Sequence, residues 1–264
     1  MDGWKRRLLV FDTESTGVDV ATDRVVELAA VYFVDGKFED KRQMLVNPER
    51  PIPKEATEVH GIGDAEVRGK PAFRDIADRF AMHLDGRALS GEPPLLVGYN
   101  AIAYDVPLLN AEFARAGHPA RIDASHVVDP MITVRWHLRH LRSRKLGDVC
   151  ERFGVKLANA HRAWADAQAT GELLFALVAE GLVPEEPEAM LEEQERLVPL
   201  LEREFEDFSY WLYRDREDGA LRLGAGKYCG EPLDDVDTGY LEFLCAKMSD
   251  LPERVRQEFE RRLG

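Results

Sequence analysis

Apolar residues recur with two different spacings through position 182. Short apolar runs predict strands at 8–12, 25–33, 43–46, 95–99 and 127–129, and apolar residues at helical spacing predict helices at 73–84, 106–113, 146–153 and 164–178. The first three strands have short connections, which favour an antiparallel meander. The later strands are separated by helices, which favours parallel pairing. The pattern therefore predicts a mixed five-stranded α/β sheet with helices on both faces.

The remainder of the chain has a different pattern. The stretch 185–207 holds ten acidic residues and two arginines, and Pro199 within it predicts an interruption of any helix. Beyond it, an apolar run at 208–213 predicts a strand, and apolar residues four apart in 240–248 and 255–263 predict two helices. The expected organisation is a domain at 1–182, a partly helical acidic connector at 183–207 and a small α+β module at 208–264.

Composition and charge exclude several classes of protein. The formal net charge is −14, which excludes a globally basic coat for nucleic acid, and 185–207 alone contributes −8 of it. The longest apolar run, 28–34, is too short to span a bilayer, and the acids after Lys5 and Arg6 leave no signal-peptide core. We therefore expect a cytoplasmic protein without a membrane partner. The three cysteines have no Cys-x-x-Cys spacing, so neither a disulfide framework nor a zinc site is indicated.

Candidate chemistry begins at the end of the first predicted strand. Asp12 and Glu14 lie two positions apart, so the strand period turns both carboxylates to one face. Such a pair repels itself unless a cation or a shared proton intervenes, and oxygen ligands suit Mg²⁺ or Mn²⁺. Taken singly, Asp105 is consistent with a helix N-cap as well as with a metal ligand. Asp166, five residues after His161, is likewise consistent with an ordinary surface acid. None of these signals is specific alone.

Three segments taken together are more specific. Residues 10–17 are VFDTESTG, residues 97–105 are VGYNAIAYD and residues 161–167 are HRAWADA. In order and spacing they resemble the DnaQ-like, DEDDh group of 3′-to-5′ exonucleases, the family of the epsilon subunit of DNA polymerase III. VHGI at 59–62 and LGDVCERFG at 146–154 extend the resemblance, which covers about residues 7–179. Tyr104 stands where the family usually has Phe, and Ser15 where Thr is common.

The resemblance implies an RNase-H-like fold and a metal-dependent 3′-to-5′ exonuclease. It implies two divalent cations, Mg²⁺ or Mn²⁺, held by four carboxylates: Asp12, Glu14, Asp105 and Asp166. Asp12 is expected to bridge both cations, with Asp105 partly outside the direct ligands. His161 is expected to take the proton of the attacking water, and the products are expected to be nucleoside 5′-monophosphates.

The resemblance also implies a set of residues that bind substrate. They are Thr13, Thr16 and Gly17 near the terminal nucleotide, Val59, His60 and Asn100 around its nucleobase, and Arg162 next to His161. His60 followed by Gly61 is equally consistent with a plain helix end. A separate basic segment places Arg135, Arg139 and Arg142 at i, i+4 and i+7, either as a track for phosphates or as a solvated helix face.

The last forty residues carry a weaker resemblance. GKYCGEPL at 226–233 and YLEFL at 240–244 are similar to a small uncharacterised module that recurs beside exonuclease domains, with Phe243 in place of a Trp. Lys227 and Tyr228 are candidates either for contact with nucleic acid or for a tight turn alone.

The expected partner is a single-stranded or frayed 3′ end of DNA. RNA is also a candidate substrate, because the phosphodiester backbones of DNA and RNA suit the same pair of metal ions. An RNA-trimming exoribonuclease and a polymerase-associated proofreading subunit are the alternatives. Gln194, Leu197 and Leu200 are spaced as in a peptide that binds a sliding clamp, although that spacing also arises by chance.

Overall fold

One mixed sheet organises the first part of the protein. The computed structural model describes residues 7–88, 93–158, 160–249 and 251–264, so Lys5 and Arg6 lie outside the described residues. The strands are β1 (Leu8–Ser15), β2 (Val25–Val34), β3 (Lys37–Leu45), β4 (Leu95–Val97) and β5 (Val127–Val128), in the order β3-β2-β1-β4-β5. The pairs β1–β2 and β2–β3 are antiparallel, and β1–β4 and β4–β5 are parallel. The predicted mixed five-stranded sheet is confirmed.

The helices up to residue 179 are α1 (Lys54–His60), α2 (Asp64–Val67), α3 (Phe73–Leu84), α4 (Asp105–Arg115), α5 (Pro130–His137), α6 (Leu146–Arg152) and α7 (Ala163–Ala179). Of these, α3, α4 and α7 cover the two faces of the sheet. Leu9 and Phe11 of β1 share a buried cluster with α3 and α4. On the opposite face α7 packs against β1 and β2, where the rings of Phe33 and Phe175 meet edge to face at 5.4 Å. Because side chains alternate along a strand, Asp12 and Glu14 lie on the α7 face.

The chain divides into two compact units, Met1–Met131 with Lys145–Gln194, and Ile132–Arg144 with Glu195–Gly264. The second unit contains most of α8 (Pro187–Phe208), the antiparallel pair β6 (Leu212–Arg214) and β7 (Leu221–Leu223), and the helices α9 (Thr238–Lys247) and α10 (Glu253–Leu263). Its core is built mainly from large apolar side chains such as Trp211, Leu223, Leu241 and Phe259. This division differs from the predicted boundaries at 182 and 207, which stay a prediction. Among the described residues, no helix combines the length and the apolar character that a membrane crossing needs.

Two expectations for residues 185–213 are wrong. Pro199 does not interrupt the helix, since α8 runs continuously over 22 residues with the proline inside it. Buried side chains at helical spacing, including Met190, Leu197 and Leu201, outweigh the cost of about 3 kcal/mol that an internal proline carries. The predicted strand at 208–213 shortens to β6, because Phe208 still belongs to α8.

The candidate clamp-binding peptide is also part of α8. Gln194 and Leu197 are buried, and the Gln194 side chain donates to the Val127 carbonyl (2.8 Å) and accepts from the Asp129 backbone N–H (2.8 Å). These residues therefore hold the fold together and do not offer a free linear peptide.

The expected basic helix face is not formed. Helix α5 ends at His137, so Arg135, Arg139 and Arg142 do not share one face of a helix. Arg139 is buried and forms an ion pair with Glu204, a partner 65 positions away that helical spacing alone does not reveal. Arg135 and Arg142 are exposed.

Candidate active site

Three carboxylates converge on the α7 face of the sheet. Asp12 and Glu14 come from β1, and Asp166 comes from the first turn of α7. One oxygen of each lies within 4.8 Å of the others. The strand period aligns the first two, and the packing of α7 on β1 brings the third to them.

Asp105 lies beside this group at the start of α4. Its buried carboxylate accepts a hydrogen bond from the Thr13 hydroxyl at 2.6 Å. It is not one of the three residues whose oxygens converge within 4.8 Å. The structure thus places Asp105 next to the predicted ligands with one oxygen already held by Thr13.

The crowding of these acids perturbs their ionisation. Burial, followed by repulsion from Asp105, Asp166 and Glu14, raises the pKa of Asp12 well above its usual range. Burial and then Asp166 raise the pKa of Glu14 to about 8, and burial raises the pKa of Asp105 to about 7 although Thr13 opposes the shift. The pKa of Asp166 is also raised by burial, against hydrogen bonds from the backbone N–H groups of His161 and Arg162. The pKa of each of the four carboxyl groups is thus shifted towards the protonated form, and a bound cation would oppose that shift.

The donor set suits a hard divalent cation. The Asp166 Oδ2 atom is buried and has no hydrogen-bond partner among the described residues. The three converging side chains offer only carboxylate oxygens, which Mg²⁺ and Mn²⁺ prefer. An orphaned buried oxygen next to two further carboxylates is the arrangement that a bound cation would satisfy.

His161 lies immediately before α7 and is exposed to solvent. Its backbone has φ +65°, a left-handed conformation that is uncommon for a residue with a side chain. The interaction of its backbone N–H with Asp166 ties this turn to the carboxylate group. His161 is therefore exposed and close enough to Asp166 to interact with that carboxylate electrostatically.

Glu27 of β2 is a buried residue that the sequence analysis missed. Its carboxylate accepts from the Gln43 side chain (2.6 Å), from Arg162 Nη2 (2.7 Å) and Nε (3.3 Å), and from the Ala163 backbone N–H (3.0 Å). Burial by itself would raise the pKa of Glu27, but these hydrogen bonds outweigh it and hold the pKa below its usual value. The only signal in the sequence is one acid in the middle of an otherwise apolar strand.

The loop after β1 is held by side chains of the predicted motifs. The Tyr104 hydroxyl donates to the Gly17 carbonyl at 2.5 Å and contacts the Ser15 hydroxyl. Thr16 is buried, and its hydroxyl donates to Asp23 at 2.7 Å. The two positions that depart from the family pattern, Ser15 and Tyr104, are thus direct neighbours that share one hydrogen-bonded contact.

The remaining predicted substrate residues lie around this loop in different environments. His60 is buried; its Nδ1 accepts from the Ile62 N–H (3.1 Å), so its Nε2–H donates to the Ser15 carbonyl (3.2 Å). His60 also ends α1, since Gly61 has φ +72°. Val59 and Asn100 are exposed. Their roles in substrate binding stay predictions.

Arg162 has a partner within the chain. Its guanidinium is bound to Glu27, and its side chain remains 41% exposed. The structure therefore assigns Arg162 a structural contact, and a contact with substrate stays a prediction.

Comparisons with known proteins identify the family and the fold of this chain. The family model described as Exonuclease, RNase_T, matches residues 9–174. The DNA polymerase III PolC-type protein of Halalkalibacterium halodurans is 31% identical over 170 residues, which is 64% of this chain and 11% of that protein. The solved structure of Exonuclease X in complex with 5′ overhanging duplex DNA has 24% identity and a TM-score of 0.53, over 71% of this chain and 99% of that one.

A second solved structure has the same fold. It is the nuclease domain of 3′hExo, described as a DEDDh family member bound to rAMP, with 15% identity and a TM-score of 0.58 over 69% of this chain and 96% of that one. At these identities the two solved structures show the fold. The resemblance to the DnaQ-like, DEDDh proteins is confirmed by the family model, the relatives and the shared fold together. The chain is therefore a member of the exonuclease family, and its first unit is a DnaQ-like exonuclease fold.

Proposed function

We propose that this protein is a divalent-metal-dependent exonuclease that hydrolyses phosphodiester bonds from the 3′ end of DNA and releases nucleoside 5′-monophosphates. The observation that carries the proposal is the convergence of Asp12, Glu14 and Asp166 within 4.8 Å, with His161 exposed beside them. A phosphodiester is negatively charged, so carboxylates alone would repel it. The site becomes suited to this substrate only when cations neutralise it.

Two Mg²⁺ or Mn²⁺ ions fit the donor set, with Asp12, Glu14 and Asp166 as ligands and Asp105 in support. When bound, such ions stabilise negative charge on the phosphoryl oxygens and lower the pKa of a coordinated water. Asp105, held by Thr13, adds negative charge next to Asp12 and so favours a doubly charged cation at that carboxylate.

His161 is the base in this proposal. Histidine is suited to proton transfer near neutral pH, and the exposed ring is free to reach a water molecule above the carboxylates. Its Nδ1 or Nε2 takes the proton as the water oxygen bonds to phosphorus and the 3′-oxygen of the preceding nucleotide leaves. The backbone contact between His161 and Asp166 holds the base and a predicted ligand in one turn.

DNA is the favoured substrate, because the relative that matches here is named a DNA polymerase. The match spans only 11% of that polymerase, so the proposal also includes a contact between this chain and a separate polymerase. An RNA-trimming activity is the alternative, because the nuclease domain of 3′hExo, which shares the fold, is bound to rAMP.

The test is digestion of matched single-stranded DNA, duplex DNA and RNA oligonucleotides labelled at the 5′ end. Mg²⁺, Mn²⁺ or chelator is added, and phosphorothioate linkages are placed at one end or the other. We expect shortening only with a cation, blocked only by 3′ phosphorothioates. Cleavage in chelator would contradict the metal mechanism, blockage by 5′ phosphorothioates would contradict the direction, and faster digestion of RNA would favour the alternative.

Two variants test the assigned residues. Asp166→Asn should lose cation-dependent turnover and the thermal stabilisation that the cation confers. His161→Ala should lose roughly 10² to 10⁴ in kcat but keep that stabilisation, because a base contributes to rate and not to cation binding. His126→Ala, which removes another exposed histidine of the first unit, is the control. Loss of cation binding in His161→Ala would make His161 a ligand instead.

A further inference from the structure

The second unit brings two basic features together that are about ninety positions apart in the sequence. Residues 132–144 carry four arginines and two histidines and no acid. Arg142 Nη2 donates to the Lys227 carbonyl at 3.2 Å, and the Cys229 thiol donates to the carbonyls of His140 and Leu141 at 3.8 Å. The turn that carries Lys227 is therefore packed on the basic segment.

Three aromatic rings continue from this turn. Tyr228 and Tyr240 meet edge to face at 5.0 Å, and Tyr240 stacks on Phe243 at 6.3 Å with an interplanar angle of 22°. Lys227 Nζ lies 4.7 Å from the Tyr228 ring centroid and 3.1 Å from its hydroxyl. We call Arg142, Lys227, Tyr228, Tyr240 and Phe243 the aromatic–basic surface.

Two rings of the aromatic–basic surface are packed against the protein, and the third is exposed to solvent. Tyr228 and Tyr240 pack against the core of the second unit, and the Lys227 backbone N–H donates to the Tyr240 hydroxyl at 3.1 Å. Phe243 is 52% exposed and is not part of that core. A large ring held in this way presents a face to solvent at little entropic cost.

Cations lie beside the rings, together with the acid Asp237. Lys247 follows Phe243 by four positions and Tyr240 by seven, so it lies on the same side of α9, whereas Glu242 lies on the opposite side. Asp237, the acid beside Lys227, caps α9 by accepting from the Tyr240 N–H at 3.0 Å. In a chain of net charge −14, cations next to an open aromatic ring suit an anionic ligand that has flat, stackable groups.

We propose that the aromatic–basic surface binds single-stranded nucleic acid, with a base stacked on Phe243 and phosphates near Lys227 and Arg142. The proposal rests on the proposed function for the kind of polymer, and it assigns this second unit a binding site of its own. Stacking on an aromatic ring contributes about 1–3 kcal/mol per base, which corresponds to roughly a 5- to 150-fold change in affinity. Each phosphate contact adds a dependence on salt.

The test measures binding without hydrolysis. The full chain in chelator is titrated into a 5′-fluorescein-labelled oligothymidylate of twenty nucleotides, and anisotropy gives Kd at several KCl concentrations. Phe243→Ala should raise Kd at least about 5-fold. Phe205→Ala is the matched control, because Phe205 is also 52% exposed and also belongs to the second unit. Thermal melting should show that both variants stay folded, since neither ring is buried.

The cation is tested separately. Lys227→Gln should reduce the slope of log Kd against log salt by about one, the value for a single lost phosphate contact, whereas Lys70→Gln, at an exposed lysine of the first unit, should not change it. A strand with 2-aminopurine in place of a base should show quenching with the wild type and less with Phe243→Ala.

The outcomes separate this proposal from the nuclease proposal. Equal Kd and equal quenching for Phe243→Ala and Phe205→Ala would overturn the proposed nucleic-acid site. The aromatic–basic surface would then be assigned to a protein partner. Hydrolysis of a dinucleotide by the wild type tests the nuclease proposal alone, because so short a substrate does not require a second site. Binding that depends on Phe243 in a protein that fails to hydrolyse the dinucleotide would contradict only the nuclease proposal.

Discussion

The substitution Glu27→Gln should uncouple the start of α7 from the sheet. Glu27 is fully buried in β2, and its carboxylate accepts from four donor nitrogen atoms, including the Ala163 N–H at the first turn of α7. That N–H has no acceptor within its own helix, so Glu27 caps α7 from another element. His161 precedes this capped turn, and Asp166 lies within it.

The loss of stability in Glu27→Gln follows from the hydrogen bonds of the Glu27 carboxylate. Glutamine keeps one acceptor oxygen, but its NH₂ group must face donors, so at least one buried donor loses its acceptor at a cost of about 1–3 kcal/mol. Arg162 also loses its counter-charge, although its 41% exposure lets water replace part of that interaction. We therefore expect the free energy of unfolding to fall by about 2–4 kcal/mol.

Stability alone does not distinguish positioning from packing, so a matched variant is needed. Glu112 is another buried carboxylate of the first unit, which accepts from Arg24 Nε (2.7 Å) and the Val25 N–H (3.1 Å). Both donors bind Oε1, and Oε2 has no partner among the described residues, so Glu112→Gln can keep both hydrogen bonds. It should lose stability mainly through the charge that faces Arg24 and Arg115, and it serves as the control for removing a buried carboxylate charge away from α7.

The readout is kcat as a function of Mg²⁺ concentration, measured well below both melting temperatures. Glu27→Gln should need more Mg²⁺ and have a lower kcat than Glu112→Gln, because the Asp166 carboxylate is less well placed. Identical Mg²⁺ dependence and kcat in the two variants would refute the positioning argument.

Three further results are expected. Tyr104→Phe and Ser15→Ala should each raise KM for a short strand. In a double-mutant cycle the two substitutions should show a coupling energy of about 0.5–1.5 kcal/mol, because the two hydroxyl groups share one contact, and strictly additive effects would contradict it. Without divalent cation, denaturant titrations should show that the free energy of unfolding falls as pH rises from about 4.5 to about 8, because Glu14 binds its proton more tightly in the folded chain. Asp12→Asn should reduce that fall, and a free energy of unfolding that stays flat or rises over this range would contradict the argument. Gln194→Ala should cost about 1–3 kcal/mol, since two buried backbone groups lose their partner, whereas Gln168→Ala on α7 should cost much less.

The arrangement of strands and helices was predictable because it depends on local periodicity. An apolar run in β2 and the helical spacing in α3 each follow from which faces are buried, and short or helical connections then limit the pairing. Pro199 was misjudged for a related reason: the rule against internal proline is local, whereas the burial of Leu197 and Leu201 that outweighs it is tertiary.

The candidate site was predictable in part. Asp12 and Glu14 share a face because of the strand period alone, but Asp105 and Asp166 were singled out only through the family resemblance. Glu27 was not found, because a single acid in a strand carries no indication of the four donors that surround it.

By itself the sequence determined the five strands of the mixed sheet, four of its helices and the position of two carboxylates on one strand, since these depend on spacings of two and 3.6 residues. Only the tertiary structure decided which distant groups meet. It brought Asp166 to β1, Glu27 to the start of α7, and Ser15 to Tyr104. It also placed Arg142 against the Lys227 turn, which makes one surface of two separate features. Such contacts join residues tens of positions apart, and they arise from packing between whole elements, which local periodicity does not encode.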